Sequence, residues 1–185
     1  MRIISGLAKG SRLQNESQYR IRPTADRVKE SLFSIIYDRI PDALTLDLFA
    51  GTGALGLEAI SRGAASSLFI DRSRAAVQII KTNIASLKFD EQCAVWKSDV
   101  RTAIHKLSKR NSQFDLIFAD PPYQRVLLAE LVDRIADSNV LKKDGLLILE
   151  KSVRQDVQPN GRMRCIRENR FGDTNVQFYR ISETR

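Results

Sequence analysis

From Thr45 to Glu150 the chain repeats one pattern. LTLDLFA, SSLFID, CAVWKSD, FDLIFAD and GLLILE are apolar almost throughout, and a helical segment follows each of the first four. Strands with no polar face need cover on both sides, so their alternation with amphipathic helices predicts an α/β fold with a helix-covered parallel sheet. The helices are read in GTGALGLEAISRG, in SRAAVQIIKTNIASL, in VRTAIHKLSKR and in RVLLAELVDRIAD. In the second, Val77, Ile80, Ile84 and Leu87 fall on one side. The tail MRCIRE-NRFGDT-NVQFYRI breaks the pattern and predicts an antiparallel hairpin turning at Gly172-Asp173. At the other end RIISG-LAKGS-RLQ predicts two short strands around a turn. The helix after it has Thr24 as N-cap and an apolar stripe of Val28, Leu32, Ile35 and Ile36, which leaves Arg22 and Arg27 facing outward.

Composition narrows the partners. The 185 residues suit one compact unit with a proper core, and no apolar run approaches the ~20 residues of a membrane helix. The opening MRIISGLAKGSRL is too polar for the apolar region of a signal peptide. Cys93 and Cys165 make neither a metal-ligand spacing nor a disulfide framework, and His105, alone in a helical pattern, reads as a structural residue. A cytoplasmic protein is the expectation, with no metal and no membrane contact. The net charge is +8, and all the excess is in the flanks. Residues 1–40 and 151–185 each hold eight Lys/Arg against four Asp/Glu, while residues 41–150 balance. Basic flanks attract polyanions, above all nucleic acid.

The five strand runs end in or near Asp47, Asp71, Asp99, Asp120 and Glu150. Ligands of open α/β sheets bind outside the carboxyl ends of the strands, so these acids line one rim. Gly51, Gly53 and Gly56 satisfy G-x-G-x-x-G between a strand and a helix, and Asp71 follows at the distance of a ribose-binding acid. A nicotinamide dinucleotide is compatible with that spacing. Asp47 tells against it, because a carboxylate four residues before the loop repels a pyrophosphate by several kcal/mol at an effective dielectric of ~20. S-adenosylmethionine carries an ammonium and a sulfonium and no phosphate. The D-x-F-x-G-x-G of Asp47, Phe49, Gly51 and Gly53 suits it better, with Asp71 on the ribose and Asp99 near the adenine.

Asp120-Pro121-Pro122-Tyr123 then reads as the place where an acceptor amine is held. Asp120 offers a carboxylate, and the prolines offer carbonyls without N–H groups that would repel the amine. Proline also restricts the residue before it, which holds Asp120 and Pro121 extended. Tyr123 offers a flat face on which an extruded base can stack, a contact worth ~1–3 kcal/mol. Guanine shows N1–H and N2–H₂ side by side, two donors that one carboxylate can accept together. Adenine shows an amine beside a bare acceptor nitrogen, so Asp120 favours guanine N2.

The order RPT-x-DRV-x-x-x-LF, DLFAGTGALGLEA, SRGAA, DPPY and RFGDT resembles, nearly end to end, the RsmD family of bacterial 16S rRNA guanine-N2 methyltransferases. The resemblance implies a Rossmann-like class I methyltransferase, with a seven-stranded, mostly parallel sheet, an antiparallel C-terminal hairpin and an N-terminal β-hairpin extension. It implies S-adenosylmethionine as donor, and as acceptor a guanine of 16S rRNA in an assembled or partly assembled small ribosomal subunit. Residues 1–40 would then be a basic, RNA-facing hairpin and helix, residues 41–185 the methyltransferase domain, and the protein a monomer. Asp120 to Tyr123 fall on the catalytic motif, and Asp47, Gly51 and Gly53 on the cofactor loop. Arg22, Thr24, Arg27 and Arg170 are the candidate RNA contacts. Asp71 stands where the family has Glu, Ser73 where an acid is common, and Phe171 where Tyr is usual. The rival readings are an N6-adenine methyltransferase acting on DNA, an RNA-binding module without activity, and the dinucleotide enzyme.

Overall fold

The computed structural model describes residues 1–15, 23–122, 128–159 and 161–182. The apolar runs become β1 (Leu44–Leu48), β2 (Ser66–Asp71), β3 (Cys93–Lys97), β4 (Phe114–Ala119) and β5 (Leu141–Ser152). The tail forms β6 (Met163–Phe171) and β7 (Thr174–Ile181). All seven join one sheet in the order β3-β2-β1-β4-β5-β7-β6. The first five pair in parallel, while β7 runs antiparallel to both β5 and β6. This is the expected α/β architecture with its reversed terminal hairpin.

Helices α1 (Pro23–Ile35), α2 (Ala54–Ser61) and α3 (Arg74–Leu87) cover one face through Leu32, Phe33, Leu57, Ile60, Ile80 and Ile84. On the other face lie α4 (Val100–Lys109) and α5 (Leu128–Asp137), with Ile104, Leu107, Val132 and Ile135 buried. Each such side chain contributes ~1.5–3 kcal/mol by burial, whereas helix propensities of ordinary residues differ by no more than ~0.7. The apolar stripes therefore fix where these helices lie.

Three expectations need correction. The N-terminal hairpin forms, but its two arms are shorter than expected and meet in a single antiparallel bridge between Arg2 and Arg12. Backbone bonds cross the hairpin from the Ile3 N–H to Ser11, from the Gly10 N–H to Ile3 and from the Leu13 N–H to Met1, while the N–H groups of Ile4 and Ser5 donate to the Glu58 carboxylate at 2.8 and 3.0 Å and so tie the segment to α2. Next, β5 starts at Leu141 rather than Gly145, and its register against β4 jumps between Phe114↔Leu141 and Leu116↔Leu146. The charged stretch Lys142-Lys143-Asp144 hides the strand because it occupies this irregularity. Finally, α1 begins at Pro23, so Thr24 lies inside the first turn instead of capping it. Proline suits that first position, since its missing N–H would have no partner there. Of the expected fifth helix, residues 125–127 lie outside the described residues.

Candidate active site

Strand register brings the acids together. Asp47 pairs laterally with Phe69 on β2 and Phe118 on β4, and Phe118 pairs with Ile148 on β5. Two residues further on stand Asp71, Asp120 and Glu150. With a side-chain period of two, all four acids belong to the sheet face covered by α1, α2 and α3. They meet at the carboxyl ends of the strands, beside the reversal of strand order between β1 and β4. That is where open α/β sheets bind ligands.

Backbone amides already hold two of these acids. Asp47, 2% exposed, accepts from the Gly56 N–H at 2.9 Å. Burial pushes its carboxyl up to about 7; the Gly56 N–H opposes the shift and the like charge of Asp71 adds to it. Asp71 accepts from the N–H groups of Gly51 and Ser73, at 2.9 and 2.8 Å. The chain turns between these acids at Phe49, which adopts a left-handed φ of 58° while packing against the core under α4 and α5. For a bulky residue that conformation costs on the order of 1–3 kcal/mol, and strain of this kind gathers at ligand sites. Gly53 then caps α2, also in a left-handed conformation. Gly56 has a different duty: a Cβ there would stand 2.4 Å from the Phe69 ring, so its lack of a side chain lets α2 approach β2.

Asp120 follows β4 directly, with Pro121 buried and Pro122 exposed. Crowding by the surrounding protein, then the charges of Glu150 and Asp47, hold its carboxyl well above the usual carboxylate range. Asp120 itself is exposed on the open side of the crevice. Among the described residues, none donates a hydrogen bond to it. Mutually repelling acids of this kind favour a cationic ligand, which fits an ammonium and a sulfonium and disfavours a pyrophosphate.

The other candidates are spread along the rim and beyond it. Asp99 caps α4, its carboxylate accepting from the Arg101 N–H at 2.9 Å. Arg170 is exposed near the end of β6, donating to the Gly172 carbonyl at 3.1 Å. The Gly172-Asp173 turn joins the sheet at the crevice end, where the Val153 N–H donates to the Asp173 carbonyl at 3.0 Å. Arg27 is exposed on α1, and Thr24 lies in the first turn of that helix. Arg22 and Tyr123 lie outside the described residues. His105 is exposed on α4, both cysteines are free, and no helix among the described residues is long and apolar enough to cross a membrane. The described residues include no cluster of three or more candidate metal ligands.

The sequence reading missed a set of buried polar groups behind the site. Glu58 is fully buried and pairs with Lys29 at 2.9 Å and Arg62 at 2.7 Å, besides holding Ile4 and Ser5. Ser61 accepts from the Ala8 N–H and donates to the Ser5 carbonyl. Asn83 binds both backbone groups of Gln14 and the Thr52 carbonyl. The available signal was polarity out of place, as in Glu58 amid LGLEAI and Asn83 beside Ile80 and Ile84.

Comparisons with known proteins bear on the family and the fold. Ribosomal RNA small subunit methyltransferase D of Escherichia coli (strain K12) is 38% identical over 153 residues, covering 83% of this chain and 75% of that protein. A Bacillus subtilis protein named "Putative rRNA methyltransferase YlbH" is 36% identical over 181 residues, 97% of this chain and 98% of its own. A solved Escherichia coli structure, "Putative methyltransferase yhhF", superposes with a TM-score of 0.85 at 34% identity, covering 100% of this chain and 99% of the other. The family model described as Conserved hypothetical protein 95 matches residues 1–180, and the chain belongs to that family, the RsmD family its motifs resemble.

Proposed function

We propose that this protein is an S-adenosylmethionine-dependent methyltransferase that modifies the exocyclic N2 of a guanine in 16S rRNA. It acts as a metal-free monomer in the cytoplasm, on an assembled or partly assembled small subunit. The observation that carries the reading is the joint placement of Asp47, the glycine loop and Asp120-Pro121-Pro122 on one face of one rim. A family whose named relatives include rRNA methyltransferases supports the substrate class.

S-adenosylmethionine, when bound, supplies an electrophilic methyl group on a sulfonium. Asp47 would offer compensating negative charge beside the glycine loop, Asp71 would hold the ribose, and Asp99 would meet the adenine. Asp120 accepts from guanine N1–H and N2–H, while the carbonyls of Pro121 and Pro122 take the remaining N–H. With its hydrogens held, the amine nitrogen can pyramidalise and direct its lone pair at the methyl carbon. The methyl group would pass from the sulfonium to N2, leaving the neutral thioether, and Asp120 would take the N2 proton and release it to water. Alignment supplies much of the acceleration, since the chemistry needs little beyond two well-placed reactants. Tyr123 stacks on the base, and Arg22, Thr24, Arg27 and Arg170 contact the RNA around it.

The deciding experiment incubates the protein with labelled S-adenosylmethionine and undermethylated small subunits, naked rRNA or duplex DNA, then identifies the modified nucleoside. N2-methylguanosine in rRNA is the expected product. N6-methyladenine in DNA would replace this reading with that of a DNA enzyme. RNA binding without transfer would leave only a binding module.

A further inference from the structure

Asn83 is 1% exposed on α3, among residues that otherwise serve packing. Its amide has one acceptor oxygen and two N–H donors. The oxygen accepts from the Gln14 N–H at 2.7 Å. The nitrogen donates to the Gln14 carbonyl and to the Thr52 carbonyl, each at 3.0 Å. The orientation of the amide is unambiguous, because two carbonyls must face the nitrogen and one N–H the oxygen.

Thr52 is the middle residue of the cofactor loop, between Gly51 and Gly53. Holding its carbonyl fixes the peptide plane that carries the Gly53 N–H, which closes the turn onto the Ala50 carbonyl at 2.7 Å. The peptide plane between Ala50 and Gly51 is fixed from the other side, by the bond from the Gly51 N–H to Asp71. Gln14 in turn ends the segment docked along α2, and its neighbour Leu13 bonds the Met1 carbonyl at 3.1 Å. The Met1 sulfur lies 3.7 Å from the Thr52 hydroxyl. One buried amide therefore joins the cofactor loop to the N-terminal segment at Gln14.

We propose that Asn83 is a positioning residue for the cofactor, making the conformation at Gln14 part of what the glycine loop needs to bind it. The inference rests on the S-adenosylmethionine reading of this site. Coupling of this kind is reciprocal. If the Asn83 bonds favour cofactor, then cofactor must tighten the Gln14 bonds.

Two measurements test this on the full chain with S-adenosylhomocysteine as probe. Calorimetric titration compares wild type with Asn83→Asp, which keeps the shape and the acceptor but loses both donors, and with Ile84→Ala. The latter empties core volume one residue along the same helix and sets the effect of lost stability alone. All are measured well below their melting temperatures. Asn83→Asp should bind the probe about tenfold more weakly, as expected for a buried carbonyl left unpaired. It should raise KM for the cofactor without a matching fall in kcat. Ile84→Ala should bind within about twofold of wild type. Hydrogen exchange should slow severalfold at the Gln14 amide when the probe is added to wild type, and stay unchanged at Leu7, whose N–H bonds Ser61 at the far end of the segment. Equal affinity in Asn83→Asp, equal weakening in Ile84→Ala, or an unaltered Gln14 amide would each overturn the proposal. Failure of wild type to bind the probe would instead remove the cofactor reading itself, and this inference with it.

Discussion

The two ends of the crevice are built differently. At the cofactor end, Asp47 and Asp71 are already bonded to backbone N–H groups of the glycine loop and its surroundings, and Asn83 holds the loop from behind. At the acceptor end, Asp120 is solvent-accessible, and among the described residues it has like charges for neighbours and no hydrogen-bond donor. The first arrangement is rigid before any ligand arrives. The second, on the proposed reading, leaves acceptors for the N–H groups of the substrate base. A site of this design binds a small cofactor by preorganisation and recognises its acceptor by satisfying an unmet demand.

The sharpest way to break this contrast is Asp120→Ala. If the ends are independent, kcat should fall by about 10²–10³, the scale of losing a principal stabilising group. Affinity for S-adenosylhomocysteine should stay within about threefold. A parallel collapse of cofactor affinity, read by calorimetry, would mean that the two ends form one unit.

A smaller effect follows from Asp47. Its carboxyl titrates at about 7 in the folded protein against an ordinary 3.8. Between those values the folded state holds a proton that the unfolded state has released. The ligand-free protein should therefore lose stability as pH rises through this window. Asp120, shifted in the same direction, adds to the trend. A cationic cofactor prefers the ionised acids, so its affinity should rise over the same range, by about tenfold. Melting curves and titrations between about pH 5.5 and 8 should give opposite slopes, and Asp47→Asn should flatten both. Parallel slopes would refute the assignment.

The smallest effects belong to the rim. Arg27→Ala and Arg170→Ala should each weaken RNA binding a few-fold and reduce the salt dependence by about one counterion, leaving cofactor affinity alone. Filter binding across salt concentrations checks this, and an unchanged slope would remove these arginines from the RNA surface.

Much of this was legible in the sequence because it depends on local periodicity. Apolar runs marked the strands, the run ends placed Asp47, Asp71 and Asp120 on the rim, and glycine spacing marked the loop. What stayed hidden depends on distance along the chain. Nothing near Ile4 indicates that its N–H will meet Glu58, 54 residues away. Nothing near Asn83 reveals Gln14, 69 residues earlier. The strand in Lys142-Lys143-Asp144 was masked by charges that sit in a register irregularity, where the alternation rule lapses.

The amino-terminal segment has one more consequence. Gly6 lies so close to α2 that a Cβ there would stand 1.7 Å from the Ser61 carbonyl oxygen, a fit that exists only once α2 is in place. A ribosome makes Gly6 early, yet its docking partners at Glu58, Ser61 and Asn83 emerge much later. These residues are made before the partners they dock on, so they can settle only after α2 and α3 have been made. That closure also reaches Thr52, whose carbonyl shares the Asn83 amide with Gln14.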